Sequence, residues 1–350
     1  MEIWKTVATR RTVLVVLHNI TTLDRMLDVL GVLAGDLRVQ LLVTSELSDP
    51  FADDLPEAVT GLGLRSVPWP EAVRGRFDLI VSASHHGGLD ELTGPLLILP
   101  HGAGLGKYAP GDGERSVFGL GPEWLLRRGR PFAAALGFAH DGEIARLARD
   151  VPAALPAAVL VGDPAFDRLR AMPAGDDGTV LVTSTWGPRS LVGTRPGLPR
   201  ELAGAGLRVR VVLHPNIWAW HGAHQVRAWL AGLDLVPPLG AWRAAVAGAA
   251  CVVGDHGSVT AYGAALGKPT LLAAFPDADV VPGSPAHRVG LLAPRLADGV
   301  DPAGQVAKAV EGHDPAAYGS VAGLVSSVPG EAAIRLRRLC YRLLEIEEPC

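Results

Sequence analysis

Residues 251–272, CVVGDHGSVTAYGAALGKPTLL, restrict the fold of this chain more than any other stretch. A short apolar run, 251–253, ends in a polar turn that contains glycine. Ser258 stands as an N-cap candidate before an alanine-rich helix. Gly267-Lys268-Pro269 closes that helix, and a second apolar strand starts at Thr270. Such a turn leaves backbone N–H groups unpaired at the positive end of a helix, which favours a phosphate or pyrophosphate. Asp255 either holds the turn or binds a ribose hydroxyl, because its carboxylate repels a phosphate at close range.

The same alternation runs through the chain. Strands are expected at 13–20, 39–44, 77–84, 96–99 and 157–161, with helices at 23–34 (Thr22 as cap), 121–128 and 141–149. Turn residues cluster near 172–178, and the pattern then restarts with strands at 179–183 and 208–213. Helices follow at 198–205, 224–232, 241–250 and 301–310, the last with Asp301 as cap and Pro302 at its first position. A terminal helix, 331–347, carries Ile334, Leu336, Leu339, Leu343 and Leu344 as an apolar stripe. Continuous apolar strands alternating with helices imply parallel sheets covered on both faces. Two such halves imply two Rossmann-like domains, about 1–172 and 179–330, with helix 331–350 packing back towards the first. Ligands then bind beyond the C-terminal strand ends. The turns with unusual chemistry are 84–88, 101–107, 184–186, 214–216 and 255–258.

With 350 residues, 48% hydrophobic and 19% charged, the chain can bury two cores. A formal net charge of -4 argues against a nucleic-acid protein. Cys251, Cys340 and Cys350 lack disulfide or zinc spacing, so a cytoplasmic setting is the expectation. The apolar run 13–17 after Arg10-Arg11 is too short for a secretion signal, and no stretch reaches membrane-span length.

HGAGLGK, residues 101–107, fails both the P-loop and the dinucleotide fingerprints. It leaves His101 at a strand end beside a glycine loop, and an imidazole there suits acid–base work; a plain strand-end histidine is the other reading. His214-Pro215 also ends a strand, where proline holds the histidine extended before a turn. His214 there suits a phosphate or a hydroxyl. The pairs His85-His86 and His221/His224 lack zinc spacing, so no metal site is expected. Ser258 reads as a helix cap or as part of a ligand site, and the flanking Gly254 and Gly257 favour the latter.

Taken in order, these segments resemble the CDP-glycerol glycerophosphotransferase family, the teichoic-acid polymerase-like enzymes. HGAGLGK resembles its HGTPLKK-like motif, and residues 162–169, GDPAFDRL, its G-x-P-x-x-D-x-L segment. Residues 183–186, TSTW, resemble its APTW-like segment, His214-Pro215 its H-P pair, and 255–258, DHGS, its D-Y-S-S-like turn. Ala103 and Gly104 replace threonine and proline, and Gly257 replaces serine.

The resemblance implies a GT-B fold, two Rossmann-like domains facing across a cleft, and transfer from a nucleotide-diphosphate donor to an acceptor hydroxyl. In that reading Ser184, Thr185, Asp255, His256, Gly257, Ser258, Val259 and Thr260 form the donor and phosphate site, with His214 reaching a phosphate or donor hydroxyl. His101 is the acid–base group, and Gly102 and Lys107 contact acceptor or phosphate. The donor is a CDP-alditol or nucleotide-sugar, and no cofactor or metal is required. The alternatives are a UDP- or GDP-sugar glycosyltransferase, a UDP-sugar 2-epimerase-like enzyme, or a non-catalytic nucleotide-binding protein of the same fold.

Overall fold

A computed structural model describes residues 6–46, 48–109, 116–173 and 175–349. Residues 1–5 and Cys350 lie outside the described residues. The described residues fall into two compact units. One is drawn from Met1–His101, Gly119–Ala165 and Val328–Cys350, the other from Gly102–Phe118 and Phe166–Ser327. The described residues of 102–118, directly after His101 in the chain, therefore belong to the second unit.

The first unit is built on a six-stranded sheet in the order β2-β1-β3-β4-β7-β8, and every pair in it is parallel. Its strands are β1 (Arg11–Leu17), β2 (Val39–Ser45), β3 (Leu79–Ser82), β4 (Leu96–Ile98), β7 (Ala135–Phe138) and β8 (Ala158–Leu160). Val13 to Leu17 have no exposed surface, as a strand covered on both faces requires. The helix expected over 121–128 stops at Leu125. A short antiparallel hairpin of β5 (Leu126–Arg127) and β6 (Arg130–Pro131) takes its place. Arg128 and Gly129 turn that hairpin with φ of 52° and 74°, the left-handed pair that suits a two-residue hairpin.

Helix Ile20–Leu33 is capped by Asn19 rather than Thr22. Thr22 N–H donates to Asn19 Oδ1 at 3.0 Å, and Thr22 Oγ1 accepts the N–H of Asn19 at 3.0 Å. Both orphan donors are thus satisfied reciprocally. Arg25 on this helix meets Asp163 at 2.7 Å with both side chains buried, so the GDP segment serves the core of this unit. The terminal helix Ala332–Leu344 packs against Ile20–Leu33 and buries Leu336, Leu339, Cys340, Tyr341 and Leu344. Ile334, expected in its stripe, is 52% exposed. Tyr341 takes the remaining inward place and donates its hydroxyl to Asp36 at 2.8 Å.

Asp36 also accepts from Arg38, and these bonds hold its carboxyl well below the usual carboxylate range. A depressed carboxyl contributes stability above its ordinary pKa, and that share disappears as pH falls through and below that range. Asp36→Asn should therefore lower the midpoint of urea unfolding at pH 7, and the difference from wild type should shrink on acidification. An equal offset at every pH would contradict this reading.

The second unit carries a five-stranded parallel sheet in the order β11-β10-β9-β12-β13. Its strands are β9 (Thr179–Ser184), β10 (Arg208–Leu213), β11 (Asp234–Leu235), β12 (Cys251–Gly254) and β13 (Thr270–Leu272). Helix Ser258–Ala265 lies close on β12, where a Cβ on Gly263 would stand 2.8 Å from Val252 Cγ2. Two helices the periodicity missed, Pro285–Leu292 and Pro315–Val325, pack against it. Asp301 caps helix Pro302–Glu311 through the N–H groups of Ala303 and Gly304, as its sequence indicates.

Candidate functional site

In the second unit the chain builds β9, adds β10 and β11 on one side, then returns to place β12 and β13 on the other. The switch point is the gap between the C-terminal ends of β9 and β12, the place where open α/β sheets take ligands. β9 delivers Ser184, Thr185 and Trp186 there, and β12 delivers Asp255, His256 and Gly257.

Asp255 is the centre of this arrangement, 1% exposed. Its Oδ2 accepts the backbone N–H groups of Thr185 at 2.9 Å and Leu191 at 2.8 Å, and its Oδ1 accepts that of Gly257 at 2.9 Å. One carboxylate thus ties the β9 loop, the start of the next helix and the β12 turn together. Burial pushes its pKa up to about 6, opposed by those N–H bonds and by the Lys107 charge. Ser184, Thr185 and Thr260 are buried beside it and bonded within the protein. Ser184 Oγ donates to the Thr185 carbonyl at 2.8 Å and accepts from Val192 N–H at 3.1 Å. Thr260 Oγ1 lies 2.8 Å from Thr183 Oγ1. A Cβ on Gly254 would collide with both threonine hydroxyls. Three of the residues expected to touch a donor, Ser184, Asp255 and Thr260, thus have their side chains in the support of the turn, and Thr185 joins them through its backbone N–H.

Helix Ser258–Ala265 begins one residue earlier than a Ser258 cap requires. Gly257 is the N-cap, with no side-chain hydrogen bond, and Ser258 is the first helical residue. The first-turn N–H groups of a helix have no intrahelical acceptor, so they, with Val259 among them, provide partial positive charge at the switch point. Ser258 Oγ instead accepts Ala103 N–H at 3.2 Å. A Cβ on Gly102 would stand 2.7 Å from that hydroxyl, which is why the chain passes here on glycine.

Lys107 reaches the same place, its Nζ 3.1 Å from Thr185 Oγ1. Its loop is held by an antiparallel bridge to Val280 and by Val281 N–H on the Gly106 carbonyl at 3.1 Å. Desolvation lowers the Lys107 pKa and Asp255 raises it. His256 packs edge-on to Phe275, and burial, with Lys107 and Arg189 nearby, holds its pKa at about 3. It is therefore a neutral ring at physiological pH. Arg189, which the sequence did not single out, pairs with Asp279 at 2.7 Å while 68% of its side chain remains exposed.

His214 is not followed by a turn. It caps helix Pro215–His221, with Pro215 at the first position, and its Nδ1 accepts Asn216 N–H at 3.1 Å. A neutral ring accepting at Nδ1 carries its proton on Nε2, so His214 is a donor suited to a phosphate or hydroxyl oxygen. Trp186, 45% exposed, lies 6.3 Å from it by ring centroids. His101, in the first unit, has the opposite tautomer. Its Nδ1 stands 2.8 Å from the Ala83 carbonyl, which only accepts, so the proton is on Nδ1 and the lone pair on Nε2. That is the form of a general base.

The departures from the family motifs have local causes. Gly104 has φ of +71°, which proline cannot adopt. Ala103 is buried in the apolar core of the second unit. A Cβ on Gly257 would stand 3.0 Å from both Thr185 Cβ and Asp255 Oδ1, so a serine there needs its neighbours to move.

His221 and His224 are separated by Gly222, which ends one helix at φ 78°, and His221 packs on Trp229. His85 and His86 lie against Trp124. Among the described residues no group of three or more His, Cys, Asp or Glu is placed to hold a metal ion, and no helix is long and apolar enough to cross a membrane. Cys251 and Cys340 are buried free thiols, each pushed up to about 12 by burial.

No family model and no curated protein matches this chain. Solved structures do. The wall teichoic acid polymerase TagF with CDPG aligns with a TM-score of 0.61 at 11% identity, over 97% of this chain and 90% of that one. S. aureus MnaA with UDP aligns at 0.55 and 13% identity, over 97% and 99%. The UDP-GlcNAc 2-epimerase of Neisseria meningitidis bound to UDP-GlcNAc aligns at 0.52 and 13% identity, over 95% and 99%. The fold is GT-B. Identities this low establish that GT-B architecture and leave the chemistry to the residues.

Proposed function

We propose that this GT-B chain transfers a glycerol-phosphate-like or glycosyl group from a nucleotide-diphosphate donor to a hydroxyl. The observation that carries the reading is the start of helix Ser258–Ala265. It is uncapped, lies at the switch point between β9 and β12, and has Lys107 beside it. Fixed N–H groups and a cation stabilise the diphosphate and the charge that develops as the nucleotide leaves. His214 Nε2–H is the further donor to a phosphate or hydroxyl oxygen. His101 Nε2 takes the acceptor proton as the acceptor oxygen forms its new bond, while the donor's bond to the departing nucleotide breaks and its electrons leave with that nucleotide. The N–H groups and Lys107 meet the donor charge, so the reading calls for no resident cofactor. TagF and MnaA, solved with CDPG and UDP, support a nucleotide-linked donor by fold.

The test is a thermal-shift panel of CDP-glycerol, CDP-ribitol, UDP-sugars and GDP-sugars, since a ligand of the native state raises the melting temperature by mass action. At least one is expected to do so. Lys107→Met should weaken that ligand by roughly tenfold, the worth of one charge-assisted hydrogen bond. A panel without any shift would refute the reading. The epimerase alternative draws on the 2-epimerase likeness. Release of CMP or UDP in the presence of an acceptor favours transfer, whereas solvent-proton exchange into the sugar without such release favours epimerisation.

A further inference from the structure

Loop 186–190 is a fixed mount for one cation. The N–H groups that flank it, those of Thr185 and Leu191, both end on Asp255 Oδ2, at 2.9 and 2.8 Å. Ser190 N–H donates to the Gly187 carbonyl at 3.1 Å, which closes a β-turn over Gly187-Pro188-Arg189-Ser190. Proline at the second position of such a turn fixes its φ. Gly187 enters the turn at φ +93°. A Cβ on Gly193 would stand 2.5 Å from the Gly187 carbonyl oxygen and 2.8 Å from that of Pro188, so the turn is packed against the helix that follows it. With the backbone held in this way, what can swing at its tip is the Arg189 side chain.

Arg189 differs from the structural arginines of the same unit. Arg195 reaches the carbonyl oxygens of Ala273 and Leu296 as well as Asp298. Arg295 reaches Asp277 and the Gly290 carbonyl, and lies over the Phe275 ring at 4.3 Å. Among the described residues the Arg189 guanidinium pairs only with Asp279, at 2.7 Å, and 68% of its side chain stays exposed. The Asp279 Oδ2 that it meets is buried yet receives no aligned hydrogen bond. An ion pair this exposed contributes little net stability.

The pair nevertheless stands at the switch point. Val280, the residue after Asp279, forms the bridge that holds Lys107. The charges of Lys107 and Arg189 both act on His256, whose Nδ1 is buried without a hydrogen-bond partner. The uncapped start of helix Ser258–Ala265 follows directly. Two cations and a helix start therefore meet around His256, and a carboxylate neutralises one of the cations.

We propose that Arg189 is a ligand of the donor diphosphate held in reserve by Asp279. The incoming diphosphate takes the guanidinium from the carboxylate, and the side chain turns on its fixed mount to reach it. This rests on the transferase reading above. A guanidinium makes paired, charge-assisted hydrogen bonds to phosphate oxygens, which an exposed and unaligned ion pair does not match. When the nucleotide departs, Asp279 recovers Arg189 and the site loses one of its cations.

The test is isothermal titration of CDP into the full chain at constant ionic strength, with cytidine as the phosphate-free control. Arg189→Met should weaken CDP binding roughly tenfold, as expected for a lost hydrogen bond to a charged group. Asp279→Asn should tighten it roughly two- to fivefold, since an exposed ion pair no longer competes for the guanidinium. The double variant should bind CDP as Arg189→Met does, because Asp279 acts only through Arg189. Cytidine should not distinguish the four proteins. Equal tightening by Asp279→Asn with and without Arg189 would assign the effect to long-range charge and overturn the proposal. Weaker CDP binding in Asp279→Asn, the mark of a supporting contact, or unchanged binding in Arg189→Met overturns it as well. Asp279→Ser is the second variant should Asp279→Asn disturb the 277–279 turn. Lys107→Met separates this proposal from the reading beneath it. If Lys107→Met weakens CDP and Arg189→Met does not, the donor site stands and the switch falls; a chain that binds no CDP loses both.

Discussion

Asp255→Ala is expected to destabilise the second unit by on the order of 5 kcal/mol, since each buried N–H left without an acceptor costs roughly 1–3 kcal/mol. Three such groups lose their partner together, those of Thr185, Leu191 and Gly257. The measurement is the urea midpoint of the unit, and a variant within about 1 kcal/mol of wild type would show that the turn is held by other contacts. Asp255→Asn separates geometry from charge. The amide keeps one acceptor oxygen and presents N–H to one of the three donors, so it should fall between wild type and alanine. The pH dependence has a definite sign. The folded pKa lies near 6, above the ordinary 3.8, so the native state holds this proton longer than the unfolded chain. Stability from this group is then greatest below the ordinary value and declines as pH rises to about 6. Asp255→Asn should remove that decline; an identical slope in both proteins would place the proton elsewhere.

His101→Ala should lower turnover by about 10²–10⁴-fold, the range of a positioned general base, and leave nucleotide affinity nearly intact. The direction follows from the tautomer. The Ala83 carbonyl takes the Nδ1 proton at 2.8 Å, so Nε2 is the nitrogen that receives a proton. Steady-state turnover and thermal shift on the same preparations check the two halves. Lost nucleotide binding with turnover otherwise preserved would contradict this role. His101→Gln is the informative companion. Its side chain can keep a hydrogen bond to the Ala83 carbonyl but cannot act as a base near neutrality, so it should be as slow as alanine.

The elements and the order of the chemistry were legible in the residues. Apolar runs at β4, β9, β10 and β12, each ending in a polar turn, announce the strand ends with unusual chemistry. The cap at Asp301 with Pro302 announces its helix. Residues with two local roles were harder. Ser258 looks like a cap because a serine precedes a helical run, yet Gly257 begins the helix and Ser258 turns its hydroxyl to Ala103. His214-Pro215 looks extended because proline restricts the residue before it. Proline is equally at home at the first helical position, and a helix follows.

The sequence by itself determined that the chain forms two parallel α/β halves, and that their strand ends hold His101, His214 and the 255–258 turn. Periodicity and turn chemistry are local, and they suffice for that. Only the tertiary structure decided which side chains at those strand ends hold the turn. It turned Thr260 towards Thr183, placed three N–H donors around the Asp255 carboxylate, and gave the described residues of 102–118 to the second unit. Those outcomes depend on contacts between residues about seventy to one hundred and fifty positions apart. No pattern of short period records them.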